Sequence, residues 1–343
     1  IVKRMHNSLR PQNHMVIECD FKQTKVQSFA PLDWQSATRE ECVDFVKNAG
    51  IVGLGGAGFP TYVKYMKPDG VDYVLINAVE CEPYITADYR SVMDDAQDLV
   101  TGAKIMKKMA EAKTVYICIK ESHPDLIEKV KSALQDAAGV EVYPVPDVYP
   151  MGWERVLVRE VLHKEYGGLP AEAGAIIGNA SSAIAIAKAF EKGEAITQKN
   201  LTVSGECVKD PHNVCVPVGM PVSEIIEACG GYTQDTVRLI SGGPMMGKTI
   251  VNDMFVVDRA MNALTVLPAA NDDAIACLRC GKCSDHCPSG LQPVRITAAL
   301  KANDVDEMSK RGVMSCIECG MCTYICPSHF DVCENVRMAK RIV

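Results

Sequence analysis

Eight cysteines of this sequence fall in two runs of one spacing. The first is Cys277-Leu-Arg-Cys280-Gly-Lys-Cys283-Ser-Asp-His-Cys287-Pro288; the second is Cys316-Ile-Glu-Cys319-Gly-Met-Cys322-Thr-Tyr-Ile-Cys326-Pro327. Both follow C-x2-C-x2-C-x3-C-P, the bacterial ferredoxin spacing for two [4Fe–4S] clusters. Soft thiolate sulfur suits such clusters. The two-residue spacing lets one tight loop set three sulfurs around one cube, while the fourth Cys lies beyond the loop and ligates the other cube. Cys277, Cys280, Cys283 and Cys326 are therefore assigned to one cluster, and Cys316, Cys319, Cys322 and Cys287 to the other. Structural zinc is the rival, since C-x2-C pairs also bind zinc. Zinc wants four ligands, however, and each run adds a third Cys at ferredoxin spacing and a Cys-Pro. The other cysteines (Cys19, Cys42, Cys81, Cys118, Cys207, Cys215, Cys229 and Cys333) show no framework spacing. Free thiols in a reducing cytoplasm are the expectation for them. Cys333 follows the second run closely but is expected on one face of a short final helix, not as a ligand.

Three glycine-rich stretches and one acidic stretch could also do chemistry. Gly53-Leu-Gly55-Gly56-Ala-Gly58-Phe59-Pro contains G-x-G-x-x-G. A dinucleotide-binding fingerprint must follow a strand and open a helix; this one follows a helical stretch with only Gly50-Ile-Val between. Its glycines would let the backbone approach a phosphate or a flat ring, or simply make a tight loop. Gly242-Gly-Pro-Met-Met-Gly247-Lys248-Thr249 matches the P-loop string, but extended chain follows it and Pro244 removes an amide. The P-loop reading is rejected because its helix is missing. Gly178-Asn179-Ala-Ser181-Ser182 precedes an apolar helix, where Asn and Ser cap free amides; the same geometry could hold a flavin phosphate. Asn77-Ala-Val-Glu80-Cys-Glu82-Pro follows a buried strand directly. Ligands of open α/β sheets bind at such strand ends. The two acids are either solvated loop charges or partners for ribose hydroxyls and a nicotinamide amide.

The elements that must position these residues alternate in type. Expected strands are Met15–Cys19, Tyr73–Ala78, Thr114–Ile119 and Val140–Tyr143; expected helices are Asp33–Asn48, Asp88–Met109, Pro124–Leu134, Trp153–His163 and Ala180–Phe190. Such alternation predicts an α/β sandwich with a mostly parallel sheet. From about 199 to 250 the pattern shifts to strands at Leu201, Val214 and Val237 around a helix at Val222–Cys229, a compact module like a ubiquitin roll. Residues 251–270 read as connecting strands, and from 271 to 343 the chain is helical between cysteine loops. With 343 residues, 48% hydrophobic and 23% charged, the chain is long enough for two or three domains. A net charge of −7 argues against nucleic acid as a partner. No apolar run is long enough to span a membrane, and no secretory signal is visible. Beginning at Ile1, the sequence reads as a portion of a longer chain, with residues 1–30 the end of a β-rich domain.

Taken together, these stretches resemble the C subunit of the Rnf complex and its soluble relatives. More distantly, they resemble the NADH-oxidising flavoprotein subunit of respiratory complex I. The residues that carry the resemblance are Gly53–Lys64, Asn77–Arg90, Tyr149-Pro-Met-Gly152-Trp-Glu154, Gly178-Asn179, Ser241–Gly247 and both cysteine runs, in order from about Asp33 to Ser328. The resemblance implies an FMN/NADH-binding α/β domain over 31–198, a β-grasp module over 199–250 and a ferredoxin-like domain over 271–343. It implies FMN held among the glycine loop with Phe59, Lys64, the strand end from Asn77 through Glu80 to Glu82, and the helix start at Asn179, Ser181 and Ser182. Tyr149 and Gly152 belong to the same implied site. NADH would stack on the flavin, with Glu82 and Glu154 near its polar groups. The implied activity is electron transfer from NADH through FMN and two clusters to a partner, either Rnf-type membrane subunits or a soluble reductase such as a proline-reductase system. The implied place is the cytoplasm, peripheral on the inner membrane face through partner subunits. The rival is a non-enzymatic electron-transfer or scaffold subunit with clusters and no active flavin site. The chain departs from complex I in having Leu54 where that subunit has Arg, and in carrying two cluster motifs. Its tail after Cys326 also differs from the usual Rnf pattern.

Overall fold

The computed structural model describes residues 2–5, 11–18, 27–135, 137–269 and 273–343. It divides into two compact units, one of Ile1–Gly243 with Lys248–Pro268 and the other of Pro244–Gly247 with Ala269–Val343.

The first unit opens with an antiparallel pair, β1 (Val2–Met5) and β2 (Pro11–His14). Of the strand expected over Met15–Cys19, residues 15–18 are exposed and not extended into a ladder, and Cys19 lies outside the described residues. The helix expected from Asp33 begins later, as α1 (Arg39–Asn48). Asp33 instead closes a turn by accepting from the Gln35 amide and the Ser36 hydroxyl, while Thr38 and Glu41 form a reciprocal capping box. Satisfying two orphan amides at Thr38 fixes the helix start there.

A four-stranded sheet, wholly parallel, follows in the order β5 (Val140–Val145), β4 (Thr114–Lys120), β3 (Tyr73–Asn77), β6 (Ala175–Asn179). Val74, Leu75 and Ile76 of β3 are all fully buried, the near-continuous apolar run of a parallel strand covered on both faces. Each such side chain contributes about 1.5–3 kcal/mol of burial. The crossovers are α2 (Ala87–Asp94) and α3 (Ala96–Ala110), then α4 (Pro124–Ala133), then α5 (Glu154–Leu162), and α6 (Ala180–Lys192) leaves β6. The single long helix expected over Asp88–Met109 is thus two helices broken at Asp95, whose carboxylate pairs with Lys188 of α6 at 2.6 Å. Gly102 lets α3 and α6 touch: a Cβ there would stand 2.0 Å from the Ala183 carbonyl oxygen.

The remainder of this unit is a five-stranded sheet in the order β10 (Lys248–Thr249), β9 (Val237–Ser241), β11 (Ala263–Pro268), β7 (Gln198–Ser204), β8 (His212–Pro217), packed against α7 (Val222–Ala228). Only β11 and β7 run parallel. This is the ubiquitin-like order expected for the module, and its sheet takes in a strand from beyond residue 250. Residues 251–270 do not merely connect: β11 is the central strand, because Leu264 and Val266 are fully buried and share the core of Leu201 and Val203. Phe255–Val257 forms no strand, only a bridge from Val256 to Pro221. The P-loop string is the turn between β9 and β10, with Lys248 paired to Ser241, as its extended sequel implied.

In the second unit, α8 (Lys282–Asp285) and α11 (Met321–Tyr324) are single turns inside the cysteine runs. The longer α9 (Pro293–Lys301) and α12 (Val332–Ile342), with α10 (Val305–Lys310), share a core of Leu291, Ile296, Met308, Val313 and Val336. No described helix is long and apolar enough to cross a membrane.

Candidate functional site

The strand order places the first site. Chain connections run outward from β3 to β4 and β5, then return to β6 on the other side of β3. The point where the order reverses, at the carboxyl ends of β3 and β6, is where open α/β sheets hold ligands. The residues at those two ends are Asn77 and Asn179, and they are register partners. The Asn77 side chain donates to the Gly152 carbonyl at 2.7 Å and accepts from the Val79 amide at 3.1 Å. It therefore joins the β3 end to the segment that follows the cis Tyr149–Pro150 peptide. Gly152 lies against Cys81, whose sulfur would be 3.1 Å from an added Cβ. Burial pushes the Cys81 thiol up to about 11, which makes it inert.

The glycine loop is a closed loop and not a strand-to-helix turn. Gly53 and Phe59 are joined by a 2.8 Å backbone bond, Gly58 donates back to the Gly53 carbonyl at 3.1 Å, and Val52 bridges Pro60. The loop then enters a single 3-10 turn at Thr61–Tyr65. Gly56 and Gly58 have positive φ, +113° and +62°, and open space surrounds the Cβ position of Gly56. Phe59 is exposed. Bare backbone and an exposed aromatic ring suit the close approach of a flat ligand.

The start of α6 anchors this loop. The Ser182 hydroxyl accepts from the Leu54 amide at 2.9 Å, and Asn179 Oδ1 accepts from the Ser182 amide at 3.3 Å as the cap. Buried Asp88 receives Asn179 Nδ2 on one oxygen and the Ser181 hydroxyl on the other, both at 2.6 Å. Lys199 of β7, also buried, donates to the Leu54 carbonyl at 2.8 Å. Asn179, Ser181 and Ser182, expected on the cofactor, thus hold the loop in place with their side chains. Asp88 and Lys199 were not singled out from the sequence. The signal for Asp88 was its place one turn into a helix opposite an Asn-x-Ser-Ser cap; nothing local marks Lys199. Lys64 reaches the same sheet edge, donating to the Ile177 carbonyl at 2.8 Å and pairing with Glu154 at 3.2 Å.

The two acids divide. Glu80 does not face outward from the strand end, where a nucleotide was expected; its carboxylate accepts the amides of Asp88 and Tyr89 at 2.8 and 3.0 Å. It caps α2, whose own N-cap, Thr86, contributes no side-chain bond. Glu80 and Tyr84 both sit at positive φ, 44° and 66°, conformations that non-glycine residues hold only when the surroundings impose them. Glu82 instead packs over Gly243: a Cβ there would stand 2.0 Å from Glu82 Cγ. Burial, and then the charge of Asp88, push the Glu80 carboxyl from 4.5 up to about 7, against the amide bonds that lower it. The folded state therefore holds a proton that the unfolded chain releases near its ordinary value. Stability from this group is complete below about pH 4.5 and falls as pH rises to about 7, by about 2–3 kcal/mol. Chemical denaturation from pH 5 to 7 should show this fall in the native chain, and Glu80→Gln should remove the slope. An unchanged slope would mean that Glu80 is ionised throughout.

The second unit repeats one cysteine loop twice. Arg279 and Gly281 have positive φ in the first run, and Glu318 and Gly320 in the second. The amide of Arg279 points at Cys277 Sγ and that of Glu318 at Cys316 Sγ, each at 3.4 Å. Such alternation turns successive amides inward toward negative charge. A cavity of about 430 Å³ is lined by Cys277, Cys280, Cys283 and Cys326. A smaller one is lined by Cys287, Cys316, Cys319 and Cys322, with Cys333 beside them. Each cavity thus gathers three sulfurs of one run and the fourth of the other. Four thiols per cavity, with amides aimed at them, is the donor set of an iron–sulfur cube.

Residues 46–188 match the Nuo51 FMN-binding domain, 200–249 the SLBB domain, and 269–327 a 4Fe-4S dicluster domain. The chain is 36% identical over 349 residues to the C subunit of the Na(+)-translocating ferredoxin:NAD(+) oxidoreductase complex of Acetobacterium woodii, covering 99% of this chain and 79% of that one. It is 36% identical to the proton-translocating counterpart of Clostridium ljungdahlii over 81% of this chain and 63% of that one. Against the C subunit of the ion-translocating oxidoreductase complex of Rhodobacter capsulatus the figures are 37%, 82% and 56%. The chain thus spans about three-fifths of the latter two relatives. A chain of an NAD+-reducing [NiFe]-hydrogenase in the H2-reduced state shares the fold, with a TM-score of 0.62 at 15% identity over 89% of this chain and 61% of that one.

Proposed function

This chain belongs to the family of C subunits of ion-translocating ferredoxin:NAD(+) oxidoreductase complexes, and from that membership we propose that it is the NADH-oxidising flavo-iron–sulfur subunit of such an assembly. Its domains make FMN and [4Fe–4S] clusters its cofactors. The observation that carries the flavin site is the register pairing of Asn77 with Asn179 at the switch point, beside a glycine loop fastened to the start of α6.

When bound, FMN would supply an acceptor for the hydride of NADH and a donor of single electrons, and the clusters would supply one-electron relays. The residues act by holding and orienting. The loop Gly53–Phe59 offers bare backbone to the flavin ring, and Lys64 gives the phosphate a point charge. Asn77 and Gly152 hold the strand end opposite. Glu82 and Glu154 accept hydrogen bonds from the polar groups of NADH. Glu80, Asp88, Asn179, Ser181, Ser182 and Lys199 keep the loop and helix starts in register. Cys277, Cys280, Cys283 and Cys326 ligate one cluster; Cys316, Cys319, Cys322 and Cys287 ligate the other. Electrons leave to further subunits of an Rnf-type membrane complex, which would hold this chain at the inner membrane face, or to a soluble reductase.

Anaerobically purified protein should carry FMN and about eight irons per chain, and NADH should bleach the flavin absorbance within one turnover. Lys64→Ala should need more FMN for half-saturation. Clusters present without flavin, and no bleaching after FMN is added back, would favour the non-enzymatic scaffold instead.

A further inference from the structure

The two cysteine runs repeat with an offset of 39 residues: Cys277, Cys280, Cys283 and Cys287 correspond to Cys316, Cys319, Cys322 and Cys326. The repeat continues into the helices that follow. Pro293 at the start of α9 corresponds to Val332 at the start of α12, so Val294 corresponds to Cys333. Val294 lines the first cavity and Cys333 the second. The same helix position therefore faces both sites, once with an apolar side chain and once with a thiol.

The hydrogen bonds differ accordingly. In the first site the main-chain amide of Val294 donates to the Cys283 sulfur. In the second, the amide of Cys333 is drawn away, donating to Thr323 Oγ1 at 2.8 Å, and that hydroxyl in turn donates to Asp331, the cap of α12, at 3.1 Å. The Cys322 sulfur, which corresponds to Cys283, instead lines the second cavity with the Cys333 thiol, the two sulfurs forming a hydrogen-bonded pair. Cys333 is buried at 4% exposure and set by its helix, so solvent does not compete for this bond.

We propose that Cys333 is a positioning residue of the second cluster, its S–H donating to the Cys322 ligand sulfur in place of the amide that serves the first. This rests on the cluster assignment made above. A ligand sulfur bonded to iron carries no proton, so within the pair only Cys333 can donate. Hydrogen bonds to cluster sulfurs stabilise the extra negative charge of the reduced state and raise its potential. Cys333→Val would leave the Cys322 sulfur without a donor from α12, since the amide remains on Thr323.

Anaerobic potentiometric EPR on the full chain tests this, with Cys316→Ala identifying the signal of the second cluster. Cys333→Val should keep about eight irons and both signals, and should move the midpoint of the second cluster alone to lower potential. Cys333→Ser, whose hydroxyl can also donate, should stay closer to the native midpoint than Cys333→Val. Unmoved midpoints in Cys333→Val would overturn the proposal. So would loss of the second signal and half the iron in both variants, which would make Cys333 a ligand. Failure of the underlying assignment would look different: native protein with zinc and little iron.

Discussion

Replacing Cys326 with Ala should abolish the cluster signal that Cys277→Ala abolishes, and spare the one that Cys287→Ala abolishes. Sequence proximity argues for the opposite, since Cys326 stands only four residues after Cys322. Hydrogen bonds explain the crossing. The Ile275 amide donates to the Ser328 carbonyl at 3.1 Å, and the Ser328 hydroxyl donates to the Ala276 carbonyl at 3.2 Å. These two bonds tie the end of the second run to the start of the first, so Cys326 and Pro327 line the cavity of Cys277, Cys280 and Cys283. A cube without one of its four thiolates is exposed to loss of iron, so iron content should drop from about eight toward about four per chain. The flavin site is built from other loops, so NADH should still bleach FMN in a single turnover. The decisive comparison is EPR of these three variants beside Cys316→Ala. If Cys326→Ala and Cys316→Ala erased the same signal, each run would make its own cluster.

How much of this was legible in the sequence depends on whether the cause is local. The cysteine loops were readable because their spacing is itself the ligand geometry. The parallel sheet was readable because a strand buried on both faces, such as β3, must be apolar throughout. The broken helix was not readable: Asp88–Met109 has continuous helical periodicity, and the break depends on Asp95 pairing with Lys188, 93 residues away. Nor was the role of Glu80, because a side chain that caps a helix eight residues later looks, in one dimension, like any acid after a strand. The strand character of β11 was legible but its central place was not, for the same reason: its partners β7 and β9 lie on either side of it in the sheet but well upstream in sequence. The Asn-x-Ser-Ser stretch shows the limit from the other side. Capping and phosphate binding need the same residues, and only the partners of Asn179 and Ser181 on Asp88 separate the two uses.

Gly55→Ala should weaken FMN binding by about 5- to 150-fold, while Gly53→Ala in the same loop should be nearly neutral. Both glycines belong to one G-x-G-x-x-G string, so membership in the string does not distinguish them; their surroundings do. A Cβ on Gly53 meets only ordinary contacts, at 3.6 Å from the Phe59 backbone. A Cβ on Gly55 would stand 2.8 Å from Asn179 Nδ2 and 3.0 Å from its Cγ. That side chain has little freedom to yield, since its two polar ends are held by Asp88 and by the Ser182 amide. Overpacking of this kind costs about 1–3 kcal/mol, and about 1.4 kcal/mol is tenfold in affinity, which gives the range stated. The strain should fall on the loop, the least buried member of the pair, and so on the surface offered to the flavin. Asn179→Ala removes the obstruction but also the α6 cap, worth about 1 kcal/mol. The double variant should therefore bind FMN more tightly than Gly55→Ala alone, although both single changes are harmful, which is the signature of direct contact between two sites. Fluorescence titration of FMN into flavin-free protein gives the five dissociation constants, those of the native chain, the three single variants and the double variant, and thermal unfolding shows whether the fold persists. Equal losses for Gly53→Ala and Gly55→Ala, or strictly additive losses in the double variant, would show that the loop does not owe its shape to Asn179.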